Sequence, residues 1–141
     1  MDDLKEFQSE NTYGTYRLKD GIVQIYLNKE LIIDVEVAKK IEAHRIQLVG
    51  GEEYPTLIFV PDSYLIFENE AFNYFGSEEG LKLCMSKALV IQGTLRKLLV
   101  NFKLSFSFTS VPFRVFNKKS NAKLWLFDFV KVGLSEDWIE D

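Results

Sequence analysis

The chain has 141 residues, enough for one domain of ordinary size with a real hydrophobic core. Hydrophobic residues make up 47%, which excludes global disorder, and aromatics reach 14%, through twelve Phe, six Tyr and two Trp. The 17 basic and 21 acidic residues give a net charge of −4, and the basic ones are scattered in pairs such as Lys39-Lys40, Arg96-Lys97 and Lys118-Lys119, so the concentrated basic surface that nucleic acid requires is missing.

A single cysteine, Cys84, excludes an internal disulfide and any zinc site built on paired cysteines. The polar start, Met1–Glu6, carries no signal-peptide pattern, and no apolar run approaches membrane-spanning length. The expectation is a cytoplasmic protein without a transmembrane segment.

In chain order, residues 1–12 are polar and read as a flexible N-terminal arm. Tyr13–Lys19 and Ile22–Asn28 alternate as strands, and Asp20-Gly21 between them is a two-residue hairpin signal, because Gly takes positive φ without steric cost. Asp34 is placed to cap a helix in which Val37/Ala38, Ile41, Arg45 and Leu48/Val49 recur at helical spacing, with His44 beside the stripe and Gly50-Gly51 as its stop.

Thr56–Val60 is a short apolar run that reads as a strand buried on both faces. Pro61-Asp62 breaks it, and Ser63–Phe67 reads as a loop or a short extended piece. Ala71, Phe72 and Phe75 then share a helical face over Glu68–Phe75, and Ser77-Glu78-Glu79 reads as a new helix start leading to Leu81 and Cys84. Ala88–Ile91 is a second core strand. Gly93-Thr94 opens a longer helix with Leu95, Leu98, Leu99, Phe102 and Phe106 on its apolar face.

Pro112–Phe116 reads as a short strand near a sheet edge, since Pro supplies no amide donor. Asn117 is placed to cap a last helix with Ala122, Trp125, Leu126 and Phe129 inward, and residues 131–141 form an acidic tail. The expected order is β-β-α-β-α-β-α-β-α: one α/β domain over residues 13–130, with the last three strands parallel because helical crossovers return to the same sheet.

That order resembles the STAS/SpoIIAA-like fold, a mixed sheet with an opening hairpin and helices packed mainly on one face. More narrowly, the chain is similar to a group of small, uncharacterised bacterial proteins of that fold. The resemblance rests on Leu18–Ile22 (Leu-Lys-Asp-Gly-Ile), Ile33-Asp34, Tyr54–Ile58 (Tyr-Pro-x-Leu-Ile), Ala71–Gly80, and Phe116–Leu126 with its Phe-Asn and Ala-x-x-Trp-Leu pattern. It covers residues 13–130 and implies a fold without implying an activity. The anti-anti-sigma factors of this fold carry a phosphorylatable Ser in an Asp-Ser-Ser/Thr-Gly pattern at the helix start after the core strand. Here the position reads Glu68-Asn69-Glu70-Ala71, without a hydroxyl, so the resemblance implies the architecture without the phosphoserine switch. Glu70 as a permanent charge in place of phosphate is a further reading, although a carboxylate lacks the charge and geometry of phosphate. Ser63 is the nearest hydroxyl, in the preceding loop.

The remaining candidates are weighed against plain structural roles. His44 is the lone histidine and reads as a satisfied or surface side chain. Cys84 reads as a small buried hydrophobe, because no base stands near it in sequence. Glu78-Glu79 suits the acidic first turn of a helix. Leu104, Phe106 and Phe108 form a Phe-rich candidate interface, since Leu104 and Phe108 fall off the core face of the preceding helix. No catalytic, metal or cofactor constellation is found.

The sequence therefore points to a non-enzymatic protein-interaction or regulatory module, with a homodimer through the hairpin or the Phe102–Phe108 region as one form of it. The alternative is a small apolar-ligand binding protein with an enclosed cavity. An enzyme requires converging polar groups, for instance His44 with Asp62 or Glu68.

Overall fold

The computed structural model describes residues 5–61, 66–91 and 111–130. The opening hairpin forms as the alternation requires. Strands β2 (Gly14–Lys19) and β3 (Ile22–Leu27) pair antiparallel, with Leu18 opposite Val23 and Lys19 opposite Ile22. Asp20 and Gly21 both take positive φ, 57° and 79°, as a two-residue turn of type I′ demands.

Phe7–Asn11, read from sequence as part of a flexible arm, instead forms strand β1, antiparallel to β2. Its polar composition hid it: an edge strand has little to bury, and here Phe7 alone brings an apolar side chain to the core. The turn into β2 is held by Asn11, whose Oδ1 accepts from the amides of Tyr13 (2.9 Å) and Gly14 (3.2 Å). Gly14 has a steric reason to be glycine, since a Cβ there would lie 2.3 Å from the Tyr26 carbonyl oxygen across the hairpin.

A two-residue strand β4 (Ile32–Ile33) leads into helix α1 (Val35–Val49). Asp34 caps α1 through its side chain, which accepts from the Val37 amide at 2.9 Å, and Gly50 closes it in the left-handed region at φ 61°. Strand β5 (Tyr54–Val60) runs through the centre of the sheet. A second two-residue strand, β6 (Ile66–Phe67), pairs in parallel with β4 and feeds helix α2 (Asn69–Phe75).

The segment read as a helix from Ser77 to Cys84 is a run of turns instead, anchored by Ser77, whose Oγ donates to the Tyr74 carbonyl at 2.6 Å and accepts from the Gly80 amide at 3.1 Å. Strand β7 (Cys84–Ile91) begins at Cys84, four residues earlier than the apolar run Ala88–Ile91 implies. Strand β8 (Phe113–Phe116) lies at the sheet edge, as its proline suggested. Helix α3 (Lys119–Phe127) has Lys118 at its N-cap position and no side-chain cap hydrogen bond, so Asn117 does not play the role expected of it. The helix expected from Thr94 and the tail 131–141 lie outside the described residues.

Among the described residues the main sheet has the order β1-β2-β3-β5-β7-β8, antiparallel through the hairpin and parallel from β3 to β8. The period-2 alternation of β5 and β7 divides the core. Ile58, Val60, Leu89 and Ile91 face α1 and α2, whereas Leu57, Ala88 and Val90 face Ala122 and Leu126 of α3. Helices α1 and α2 thus share one face and α3 covers part of the other.

Removing the Asp34 side chain tests the helix entry. Asp34→Ala should cost about 1 kcal/mol of unfolding free energy in urea titration. An unchanged midpoint would show that the cap contributes nothing to the fold.

Candidate functional site

The candidate regulatory position read from sequence, Glu68, Asn69 and Glu70, falls at the start of α2. Glu68 is the residue before the helix, its side chain makes no capping hydrogen bond, and its amide donates to the Ile33 carbonyl at 3.0 Å. Glu68, Asn69 and Glu70 are all exposed. Glu70 sits in the first helical turn, where a carboxylate is favoured by the backbone dipoles.

Beside this helix start lies the β4–β6 ladder. Its inner face is Ile33 and Phe67, both buried. Its outer face is Ile32 opposite Ile66, which are 59% and 54% exposed. A half-solvated strand pair ordinarily places polar residues outward, and here both outward positions are isoleucine. Glu30 and Glu68, exposed and two residues from these isoleucines in sequence, add negative charge near the pair.

The other concentration of chemistry is internal, and sequence reading missed most of it. Glu42 and Arg45 of α1 and Lys87 of β7 meet with their side chains wholly buried. Arg45 Nε donates to Glu42 Oε1 at 2.5 Å, and Lys87 Nζ donates to Glu42 Oε2. Lys87 Nζ also donates to the carbonyls of Phe75 (2.8 Å) and Gly80 (2.9 Å), so three acceptors meet the three N–H bonds of an ammonium. Arg45 Nη2 reaches the carbonyls of Lys82 (2.8 Å) and Gly80 (3.3 Å), while its Nη1 is buried without a hydrogen-bond partner.

Burial pushes the Lys87 ammonium below the ordinary lysine range, with Glu42 acting against the shift. Burial is the largest single effect on Arg45 and opposes its charge, but the Glu42 carboxylate together with Cys84 and Tyr74 holds the guanidinium above its usual value. With no solvent access to any of the three groups, the cluster is a structural clamp that ties α1, the turns after α2, and β7 together. Arg45 was visible in the helical stripe. The signals that would have found the rest are Glu42, three residues before Arg45 and next to Ile41 in that stripe, and Lys87 inside an otherwise apolar strand.

His44 is half-buried; its Nε2 lies 3.1 Å from Ser9 Oγ, and its ring meets Tyr16 edge-on at 4.5 Å. Those contacts give it a packing role. Cys84 is buried, with Sγ 3.4 Å from Thr56 Oγ1. Glu78 and Glu79 are exposed in the turns after α2, outside any helix. Asp62, Ser63, Arg96, Lys97, Leu104, Phe106 and Phe108 lie outside the described residues. No helix among the described residues is long and apolar enough to cross a membrane.

An opening hairpin, a parallel sheet beyond it and helices on its faces define a small mixed α/β domain, the architecture expected of the SpoIIAA-like class. The family model of the domain of unknown function DUF7793 matches residues 16–130, and the chain belongs to that family. Among solved structures, it is similar to an uncharacterised protein of the DUF3478 family with a SpoIIAA-like fold from Shewanella loihica PV-4. The identity is 16%, the match covers 86% of this chain and 92% of that one, and the TM-score is 0.49. No curated protein matches the chain.

The clamp predicts an order of mutational cost. Glu42→Gln leaves two buried cations without their counter-charge and should cost about 3–5 kcal/mol in urea unfolding. Lys87→Met keeps the Glu42–Arg45 pair neutral and should cost less, about 1–3 kcal/mol. Equal costs, or the reverse order, would contradict the assignment.

Alkaline unfolding tests the packing around Tyr16, a fully buried side chain whose hydroxyl is pushed up from the usual tyrosine value to about 12, mainly by burial. Its unfolded form ionises first, so its contribution is intact below pH 10 and is lost as pH rises toward 12. Between those limits the wild type should lose about 2–3 kcal/mol more stability than Tyr16→Phe. Lys87 shifts the other way and is present in both proteins, so it cancels. Parallel pH curves for the two proteins would refute the burial of this hydroxyl.

Proposed function

We propose that the protein is a non-enzymatic protein-interaction module that engages a protein partner through the surface where β4, β6 and the start of α2 meet. The observation that carries this reading is the exposed pair Ile32 and Ile66, held in register by a hydrogen-bonded ladder next to Glu68, Asn69 and Glu70. Aliphatic side chains presented on fixed backbone, with charged residues around them, have the make-up of a protein interface with an apolar centre and a polar rim. The helix start offers carboxylates and an amide where a phosphorylatable hydroxyl stands in the switching relatives. The contact is therefore constitutive and not set by a phosphoserine at this position.

The apolar-ligand alternative gains no support from the depression at the β1–β2 edge, about 290 Å³, which Glu6, Gln8, Arg17 and Lys19 line beside Phe7 and Leu18.

Affinity capture with the tagged chain, wild type against Ile32→Asp/Ile66→Asp, tests the proposal. Both positions are exposed, so the variant should melt within about 0.5 kcal/mol per site of wild type. A stoichiometric partner should be retained by the wild type and lost, with affinity down by about tenfold or more, in the variant. Sedimentation of the two proteins over a range of concentrations separates self-association from a foreign partner. Capture of the same proteins by both, with no change in sedimentation, would sink the assignment of this surface.

A further inference from the structure

The large apolar side chains exposed among the described residues are Ile32 and Ile66, at 59% and 54%, and Leu124 and Phe127, at 69% and 49%. They form two pairs rooted on opposite faces of the sheet. The ladder that carries Ile32 and Ile66 is anchored by Ile33 and Phe67 in the core under α1 and α2. Leu124 and Phe127 lie three residues apart on α3, on the side away from Ala122 and Leu126, which anchor that helix in the other cluster. Both pairs stay exposed, so the two surfaces do not cover each other within one molecule.

Their surroundings carry opposite charge. The ladder pair is followed or preceded within a few residues by the exposed carboxylates Glu30, Glu68 and Glu70, with Lys29 as the opposing cation. Residues 111–130 are basic in a chain of net charge −4: Arg114, Lys118, Lys119 and Lys123 stand against one carboxylate, Asp128. Lys123 adjoins Leu124 and is one turn before Phe127. Among the described residues none of these four cations, and none of Glu30, Glu68 and Glu70, forms an ion pair. Arg114 lies instead over the rings of Phe116 (4.9 Å) and Trp125 (5.6 Å), and Lys119 over Tyr26 (5.1 Å), contacts that leave the positive charge uncompensated. The end of α3 turns to the sheet: a Cβ on Gly21 would lie 2.6 Å from Val130 Cγ1, so Val130 closes on the hairpin turn rather than over Leu124 and Phe127.

An apolar pair with an acidic rim and an apolar pair with a basic rim suit each other in both respects. We propose that the occupant of the β4–β6 surface is the α3 surface of a second copy of this chain, a deepening that rests on the reading given under Proposed function. The contact is heterologous, so each copy in a pair keeps one free surface of each kind, and association continues into an open chain or closes into a ring. Two apolar side chains on each side make a small centre, which places the dissociation constant at about 10 µM to 1 mM.

Sedimentation velocity of the full chain over that range, about 10 µM to 1 mM, tests the proposal. The average mass should rise with concentration and fall again in about 0.5 M salt, which screens the charged rims. Ile32→Asp/Ile66→Asp and Leu124→Gln/Phe127→Gln, each with an unchanged melting profile, should each weaken self-association about tenfold or more. Mixed in equal amounts, the two variants should form a dimer and nothing larger, because each supplies the surface that the other has lost. Persistent self-association of the α3 variant alone, with the ladder variant monomeric, would mean that two ladders pair with each other and would overturn the proposal. A wild-type chain that stays monomeric throughout would also overturn it, while capture of a foreign protein lost in Ile32→Asp/Ile66→Asp would leave the ladder surface standing as an interface. A foreign protein lost only in the α3 variant, without self-association, would give that surface to another partner and likewise overturn it.

Discussion

The carboxylate of Glu42 is the constraint on which the rest of the structure depends. It lies in a wholly buried site with a guanidinium on one oxygen and an ammonium on the other. Moving such charges out of water costs several kcal/mol each, and only dense pairing and hydrogen bonding offset it. The two cations also donate to the carbonyls of Phe75, Gly80 and Lys82, which fixes the turns between α2 and β7. The same constraint explains Gly80. A Cβ there would lie 2.0 Å from the Tyr74 carbonyl oxygen, so only glycine lets the chain pass closely enough to present its own carbonyl to both cations.

Locking α1, the turns and β7 from inside leaves the surface free to vary. The β4–β6 ladder illustrates this: Ile33 and Phe67 bury their side chains under the ladder, while Ile32 and Ile66 face outward at the same level. Phe67 stacks on Phe72 at 3.9 Å and meets Phe75 edge-on at 5.7 Å, which roots the ladder in the α2 side of the core. The exposed isoleucines therefore ride on a fixed backbone, so the proposed contact would cost little backbone entropy.

Local chemistry made much of the fold legible. Asp20-Gly21 set the hairpin and its register, Asp34 and Gly50 bounded α1, and the apolar runs around Thr56–Val60 and Ala88–Ile91 marked the parallel core. What escaped depended on distant partners. Phe7–Asn11 is a strand because β2 offers it an edge, not because its own residues demand one. Cys84–Lys87 joins β7 although Ser86 and Lys87 are polar, because Glu42, forty-five positions before Lys87, supplies the counter-charge. Glu68, Asn69 and Glu70 were located correctly as a helix start, whereas the exposed Ile32–Ile66 pair needed the pairing of two strands of two residues each, too short to show a period.

The central claim is that a buried clamp holds the turns after α2 as firmly as the core itself. Native-state hydrogen exchange of the Leu81 and Cys84 amides, which donate to Ser77 and Leu81 carbonyls, measures this most directly. Irregular turns on a surface ordinarily exchange through small local openings. The clamp predicts that these two amides exchange with the same opening free energy and denaturant dependence as the β5 and β7 core amides. Exchange through a low-energy, denaturant-independent opening, with the core amides still protected, would contradict it.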